Sequence, residues 1–181
     1  MTCGMGGIIY VNMKKVAITG ANGFIGSRLS NFLHKKGYDV RCLVRTGSDI
    51  SLMENFLTIE YVDYNDVVSL EKAFNDIEII IHLAALTRAK KWEQFQKINI
   101  DLVETLVQIA NDNATVEQFI FMSSQAAAGP SLSGIGKKED EECRPVTMYG
   151  NSKLEAEEII QEQFQKAWTI LRPVSVFGPG E

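Results

Sequence analysis

Residues 15–36, KVAITGANGFIGSRLSNFLHKK, decide the fold class of this chain. Lys15–Thr19 is a short apolar run typical of a buried strand, and Gly20–Gly26 is a turn. Phe24–Lys36 then has the apolar spacing of a helix, which Gly37 ends. A strand followed at once by a turn and a helix begins a βαβ unit, so this segment predicts a parallel sheet.

The rest of the chain alternates between apolar runs and helical patterns in the same way. Glu78–Leu83 is β-branched and predicts a strand buried on both faces, and Trp92–Asn111 predicts a long helix. The other predicted strands are Asp39–Val44, Leu57–Val62, Glu117–Met122 and Trp168–Leu171, and the other helices are Val67–Phe74 and Tyr149–Gln165. Gln125–Pro145, rich in Gly, Ser and charge, is predicted to be a surface loop. The alternation predicts an α/β, doubly wound parallel sheet with helices on both faces.

Length and composition indicate one soluble domain. A chain of 181 residues can bury a sizeable core, and its net charge of -5 provides no basic field for nucleic acid. Apolar runs all fall short of the roughly 18 residues of a membrane span, so no membrane partner is predicted. The three cysteines are far apart, which argues against a disulfide framework or a metal site and favours a cytoplasmic protein. Residues 1–12 are interpreted as an N-terminal tail from an upstream start, and residues 13–181 as the domain.

The glycine-rich turn is the first candidate binding site. Gly20, Gly23 and Gly26 separate the first strand from the first helix, where glycine allows a tight turn and close approach of backbone to a pyrophosphate. The helix N-terminus adds free N–H groups and a partial positive charge. A plain tight turn is the alternative. The predicted dinucleotide contacts here are Gly20, Asn22, Gly23, Phe24, Ile25 and Gly26.

The end of the second strand bears on which dinucleotide is bound. Arg45 occupies the place where an acidic residue usually meets the ribose hydroxyls of NAD, and an arginine there accommodates the 2′-phosphate of NADP. Arg45 therefore favours NADP over NAD, with a solvated loop arginine as the alternative. Asp63 and the adjacent Tyr64 end the third strand and are predicted to touch the adenine edge, although Asp63 also suits a simple turn.

Tyr149 and Lys153 form the candidate catalytic pair. Their spacing of four residues places them on one face of a helix, and an ammonium beside a phenol lowers the pKa of the phenol. Tyr149 is then suited to act as a general base towards an alcohol or a general acid towards a carbonyl. Ser124, at the end of the fifth strand, is positioned to orient the substrate oxygen. Isolated Tyr-x-x-x-Lys pairs are common on helix surfaces, so the prediction depends on the whole set occurring in this order.

These motifs together resemble extended short-chain dehydrogenases/reductases, the NAD-dependent epimerase/dehydratase family. The segments concerned are TGANGFIG (19–26), HLAA (82–85), SSQAAAG (123–129), YGNSK (149–153) and LRPVSVFGPG (171–180). The resemblance runs from about Met13 to Glu181 and implies a Rossmann sheet of strand order 3-2-1-4-5-6. It also implies a small-molecule substrate such as a nucleotide sugar, a hydride transfer at the nicotinamide, and a homodimer as one form of assembly.

The same resemblance assigns roles to individual residues. Ser124, Tyr149 and Lys153 correspond to the catalytic triad, and Asn99 corresponds to the asparagine that completes a proton relay. Tyr149 and Lys153 would also contact the cofactor. The backbone of Leu83, Ala84 and Ala85 would run along the cofactor, and Arg172 and Pro173 would lie close to its nicotinamide end. Asn99 as a plain helix residue and Arg172 as a strand-end charge are the alternatives, and His82 is interpreted as structural.

Two departures from the family pattern leave alternatives open. The serine strand continues as AAAGPS where many sugar epimerases have Val-Tyr-Gly, so a reductase acting on a carbonyl, sterol or flavonoid compound is the second hypothesis. The chain also stops after the GPG turn, where the family continues into a small substrate lobe. A truncated fragment that binds cofactor without turnover is therefore a further hypothesis. A redox-sensing module without turnover is a separate hypothesis, which a lost tyrosine or lysine would favour, and both Tyr149 and Lys153 are present.

Overall fold

The sheet contains six parallel strands in the order predicted for a Rossmann fold. The computed structural model describes residues 13–131 and 135–179. Its strands are β1 (Lys15–Thr19), β2 (Asp39–Arg45), β3 (Thr58–Val62), β4 (Ile79–His82), β5 (Gln118–Met122) and β6 (Ala167–Leu171). They are arranged as β3-β2-β1-β4-β5-β6, and every neighbouring pair is parallel. The predicted fold class and strand order are confirmed.

The helices connect these strands as crossovers. They are α1 (Phe24–Lys35), α2 (Val67–Ala73), α3 (Trp92–Phe95), α4 (Leu102–Asp112), α5 (Gln125–Ala128) and α6 (Met148–Gln163). Strand and helix limits agree with the sequence prediction within two residues, except in two places. The predicted tail of residues 1–12 lies outside the described residues, as do Gly180 and Glu181 at the predicted truncation.

The first exception is the helix predicted as one unit over Trp92–Asn111. A π-helical segment, Gln96–Asp101, separates α3 from α4. One wider turn of this kind inserts a residue into the helical spacing, and such segments are frequently found at functional sites. The segment contains Asn99, whose buried side chain is bonded outside its own helix. Apolar spacing alone does not distinguish a π turn from an α turn.

The second exception is the predicted surface loop Gln125–Pro145, which is wrong at its start. The first four residues form helix α5, and Ala127 and Ala128 are buried. The Ser124 hydroxyl accepts a hydrogen bond from the Ala126 N–H at 3.1 Å, which caps this helix. The small alanine side chains allow α5 to pack directly against α6.

Each central strand contributes to two separate cores because successive side chains point to opposite faces. Ile80 belongs to the core covered by α2, α4 and α6, and Ile81 belongs to the core on the α1 side. Leu106 of α4 is fully buried in the first core. The two cores hold the strand ends in place, and β1 and β4 are the adjacent strands at which the strand order reverses.

Removing side-chain volume from the larger core should destabilise the fold. We expect Leu106→Ala to lower the free energy of unfolding by about 2–5 kcal/mol, because the site is fully packed. The matched control is Leu52→Ala, because Leu52 is 46% exposed and should change stability by about 0.5 kcal/mol or less. Urea denaturation followed by circular dichroism measures both. Equal losses in the two variants would contradict the assignment of this core.

Candidate active site

A cleft of about 500 Å³ opens at the carboxyl edge of the sheet, between the ends of β1 and β4. It lies where a doubly wound sheet places its ligand. The predicted cofactor residues in its lining are Gly20, Asn22, Gly23, Arg45, Tyr64, Leu83, Ala84 and Ala85. The lining residues that sequence reasoning missed are Leu43, Asn65, Leu86, Lys97, Ile98 and Leu102. Most of the missed residues lie on predicted strands and helices, and no local pattern shows that they face a ligand rather than the core.

The glycine turn comes so close to the end of β4 that position 20 has no room for a side chain. A Cβ on Gly20 would lie 2.7 Å from the Ala84 nitrogen, and the residue has φ of +68°. Helix α1 begins directly after this turn, and its N-cap Gly23 has no side-chain capping bond. The first N–H groups of α1 therefore remain available to an anion. The turn suits the pyrophosphate of a dinucleotide.

The other predicted residues of the turn have structural contacts. A Cβ on Gly26 would lie 2.2 Å from the Gly20 carbonyl oxygen, so this glycine allows α1 to pack against the turn. Phe24 packs beneath the Arg28 guanidinium, 4.2 Å from the ring centroid. Phe24, Ile25 and Gly26 do not line the cleft. Their contact with a dinucleotide stays a prediction.

Arg45 and Tyr64 lie at the end of the cleft formed by β2 and β3. Arg45 is exposed and has no ion-pair partner within residues 13–131 and 135–179. The Tyr64 hydroxyl donates a hydrogen bond to the Leu43 carbonyl at 3.1 Å. Burial raises the pKa of Tyr64 to about 12, so its hydroxyl remains a neutral donor. An unpaired guanidinium at this edge is available to an anionic group.

Asp63 does not line the cleft and instead stabilises a turn. Its carboxylate accepts hydrogen bonds from the backbone N–H and the side-chain amide of Asn65, both at 2.9 Å. These bonds hold the pKa of Asp63 below its usual range. The geometry matches the alternative of a turn-forming aspartate. Its contact with adenine stays a prediction.

The tight packing of α5 on α6 places Ser124 near Tyr149. A Cβ on Gly150 would lie 2.4 Å from the Ala126 carbonyl oxygen, so only glycine permits this approach. The Thr147 hydroxyl accepts a bond from the Gly150 N–H at 3.0 Å and caps α6 at its start. Tyr149 therefore lies in the first turn of a capped helix, close to Ser124, which follows the last residue of β5 by two positions.

The Tyr149 phenol does not have the lowered pKa that its spacing to Lys153 predicts. Burial raises the pKa of Tyr149, and the Ser124 side chain acts in the opposite direction. The Lys153 ammonium lies instead over the ring of Phe121, 3.9 Å from its centroid. This lysine is almost fully buried, and desolvation lowers its pKa to about 7. The expected effect of Lys153 on Tyr149 is therefore absent from this arrangement of the two side chains.

Asn99 links the cleft to the helix of the catalytic pair. Its side-chain oxygen accepts a bond from the Leu86 N–H at 2.7 Å, and its amide nitrogen donates to the Leu86 carbonyl at 2.9 Å. The same nitrogen donates to the Ser152 hydroxyl at 3.0 Å. Leu86 lines the cleft, and Ser152 lies between Tyr149 and Lys153 in α6. Asn99 is thus a bridge, and its part in a proton relay stays a prediction.

His82 is enclosed at the end of β4. Its Nδ1 lies 2.7 Å from the Thr19 hydroxyl, and its ring stacks on Phe121 with centroids 5.7 Å apart. Its Nε2 is buried and has no hydrogen-bond partner among the residues that the structure describes. Burial lowers the pKa of His82 to about 3, and the nearby Lys153 charge adds to this effect. A neutral imidazole in this position agrees with the structural interpretation.

Arg172 and Pro173 continue from β6 past the end of β5. The Pro173 carbonyl accepts a hydrogen bond from the Gln125 N–H at 2.9 Å. The Arg172 guanidinium is ion-paired with Glu157 of α6, at 2.6 Å between Nη2 and Oε2. Glu157 is a buried charge that sequence reasoning missed. The sequence feature that indicates it is the spacing of four residues, which places this carboxylate one turn after Lys153 on the same face of the helix.

Comparison with protein families shows to which family the chain belongs. The model of the family described as "NAD dependent epimerase/dehydratase family" matches residues 16–181. The chain belongs to this family. The Rossmann sheet, the glycine turn and the Tyr149–Lys153 pair described above are therefore features of a member of the NAD dependent epimerase/dehydratase family.

Relatives within the family include both reductases and epimerases. The chain is 32% identical to a ceramide reductase of Caulobacter vibrioides, over 92% of this chain and 47% of that protein. It is 29% identical to a UDP-glucose 4-epimerase of Vibrio cholerae, over 92% of this chain and 53% of that protein. A UDP-glucuronic acid 4-epimerase of Bacillus cereus, solved in complex with NAD, has a TM-score of 0.79 at 25% identity, covering 92% of this chain and 58% of its own. The chain spans about half the length of these relatives.

The described residues contain neither a membrane-spanning helix nor a cluster of metal-binding side chains. Among residues 13–131 and 135–179, no helix combines the length and the apolar character needed to span a membrane. The same part of the chain contains no group of three or more His, Cys, Asp or Glu side chains able to hold a metal ion.

The contact between Gly20 and Ala84 gives a test of the turn. Gly20→Ala and Gly47→Ala both place a side chain at positive φ, which costs about 1–2 kcal/mol. Only Gly20→Ala also forces a Cβ into backbone, because nothing lies within 4 Å of the Gly47 position. We expect Gly20→Ala to lose about 1–3 kcal/mol more stability than Gly47→Ala. Thermal unfolding measures the stability of both variants. Equal losses of stability would show that the turn is not in close contact with the residues that follow β4.

Proposed function

We propose that this chain forms the cofactor-binding and proton-transfer part of an NAD(P)-dependent oxidoreductase. In this reaction a hydride moves between the nicotinamide C4 and a substrate carbon bearing a hydroxyl or carbonyl group. The observation that supports the proposal most directly is the Asn99 bridge, because it joins the lining of the cleft to the helix of Tyr149 and Lys153. A cofactor in the cleft and a proton donor on α6 are thereby held in one rigid unit.

Each side chain has a defined task in this scheme. The dinucleotide, when bound, supplies or accepts the hydride. The glycine turn and the start of α1 bind the pyrophosphate. Tyr149 exchanges a proton at its phenolic oxygen with the substrate oxygen, and Ser124 orients that oxygen. Lys153 lies one turn after Tyr149 on the same face of α6, and its positive charge binds the nicotinamide ribose.

We further propose NADP as the preferred dinucleotide. Arg45 has no ion-pair partner among the described residues and lines the cleft where β2 ends. A 2′-phosphate carries the charge that matches a free guanidinium. Bound NAD in the related Bacillus cereus structure supports a dinucleotide in this cleft without deciding between the two forms.

The first candidate substrate is a nucleotide sugar, converted by an epimerase or dehydratase reaction. In this case the hydride returns to the substrate, and the cofactor is regenerated in each cycle. Similarity to a UDP-glucose 4-epimerase and a UDP-glucuronic acid 4-epimerase supports this candidate.

The second candidate is a reductase acting on a carbonyl compound such as a sterol or a flavonoid. After Gln125, helix α5 continues with three alanines, residues 126–128, where many sugar epimerases have Val-Tyr-Gly. The raised pKa of Tyr149 keeps the phenol protonated at neutral pH, as a general acid towards a carbonyl requires. Similarity to a ceramide reductase points in the same direction.

The setting of the protein follows from the same observations. We propose a cytoplasmic enzyme with a small-molecule substrate, because the widely separated cysteines suit a reducing compartment. The homodimer implied by the family resemblance stays a prediction.

Tyr149→Phe tests the proton-transfer role in the intact gene product. We expect turnover to fall by about 10²–10⁴-fold, because general acid-base catalysis contributes this much. Dinucleotide affinity by calorimetry should stay nearly unchanged. Turnover is measured with UDP-glucose and with a sterol ketone: net oxidation of NADPH indicates a reductase, and sugar interconversion without net oxidation indicates an epimerase.

The control for this experiment is Tyr38→Phe, because Tyr38 follows α1 and does not line the cleft. It should retain full turnover. Undiminished turnover in Tyr149→Phe would remove the proton-transfer role from that residue.

Arg45→Asp tests the choice of dinucleotide. Because the substitution replaces the proposed phosphate partner with a like charge, NADPH affinity should fall far more than NADH affinity, by about tenfold or more. Arg144→Asp makes the same change of charge at an exposed position outside the cleft and should affect neither. Calorimetric titration with both dinucleotides measures the difference. Equal losses for NADPH and NADH would refute the assignment of Arg45.

A further inference from the structure

Glu157 carries a buried charge, and the proposed reaction assigns this residue no role. The residue is 1% exposed and lies in α6, four residues after Lys153 and eight after Tyr149. This spacing places all three side chains on one face of the helix. A carboxylate removed from water is costly unless its oxygens are bonded, so its partners define what it can do.

Two groups outside α6 hold the carboxylate in place. Arg172 donates from Nε to both oxygens at 3.1 Å and from Nη2 to Oε2 at 2.6 Å. The Ser123 hydroxyl donates a short hydrogen bond to Oε1. Ser123 and Arg172 follow β5 and β6, so Glu157 is oriented by the ends of two strands. The carboxylate therefore has a fixed position relative to Lys153.

Lys153 depends on its surroundings for its charge. Its ammonium has no hydrogen-bond acceptor among the described residues and rests on the Phe121 ring. Desolvation brings the pKa of Lys153 down to about 7, and the Glu157 charge acts against this decrease. At neutral pH a small electrostatic change is therefore enough to alter the charge of Lys153.

The other titratable groups around Lys153 do not replace Glu157. His82 of β4 stacks on Phe121 and is neutral above a pKa of about 3. Tyr149, one turn earlier in α6, is a neutral phenol with a raised pKa. Arg172 is a cation, and the Cys143 thiol approaches Arg172 rather than Lys153. Of the described residues, Glu157 is the one anion that acts on Lys153.

We propose that Glu157 is a positioning residue that keeps Lys153 in its charged form, and that Arg172 limits this effect by pairing with Glu157. The inference rests on the proposed function, in which the Lys153 charge binds the cofactor ribose. Glu157 touches neither substrate nor cofactor in this scheme. It works through Lys153 alone.

The charge of Lys153 can be followed directly in this chain, without cofactor or turnover. The Lys153 resonance is identified in ¹³Cε-lysine-labelled protein by its loss in Lys153→Arg, and its chemical shift is measured against pH. Glu157→Gln keeps the shape and a hydrogen-bond acceptor for Arg172 but removes the charge. We expect its Lys153 midpoint to fall by about one pH unit, a tenfold loss of proton affinity.

A second variant shifts the midpoint in the opposite direction. Arg172→Met removes the cation that pairs with Glu157, so the Lys153 midpoint should rise. Glu158→Gln is the matched control, because Glu158 is the exposed neighbour in α6, and its midpoint should equal that of the unaltered chain. A purely structural role for Glu157 predicts lower melting temperatures without opposite shifts of the midpoint.

An unchanged midpoint in folded Glu157→Gln would overturn the proposal. If circular dichroism shows that this variant is unfolded, Arg172→Met decides alone, and an unchanged or lower midpoint in it overturns the proposal. Failure of the proposed function would appear separately, as undiminished turnover in Tyr149→Phe. The Lys153 titration is independent of that result.

Discussion

The contact between the glycine turn after β1 and the end of β4 is the constraint on which the rest of this structure depends. Gly20 and Ala84 meet backbone to backbone, at a distance that leaves no space for a Cβ. This contact brings the start of α1 to the point where the strand order reverses. A cleft with free N–H groups at one wall results from it, and the ends of the other strands supply the remaining walls.

Buried charge is the second organising feature of the site. Lys153, Glu157 and Arg172 come from α6 and from the end of β6, and water is largely excluded from the first two. In such surroundings a charge is stable only with a partner, so the state of one group depends on the others. The pKa of Lys153 near 7 is a result of this balance. A site of this kind responds to a bound cation or anion more strongly than a solvated one.

Reductases and epimerases of this family share the parts found in this chain. Both groups of relatives match over more than nine-tenths of the chain, although it spans about half of their own length. In the proposed function these shared parts bind a dinucleotide and transfer a proton, which both reactions require.

Local spacing and turn chemistry in the sequence predict the parallel α/β sheet, the glycine turn and the positions of Tyr149, Lys153 and Ser124, and the family resemblance adds the strand order. Only the tertiary structure decided the charge and the contacts of the side chains. Lys153 lies over Phe121 rather than lowering the pKa of Tyr149, and Glu157 is buried against Arg172. Desolvation and ion pairing depend on residues distant in the chain, and no local pattern of residues records which of them will meet.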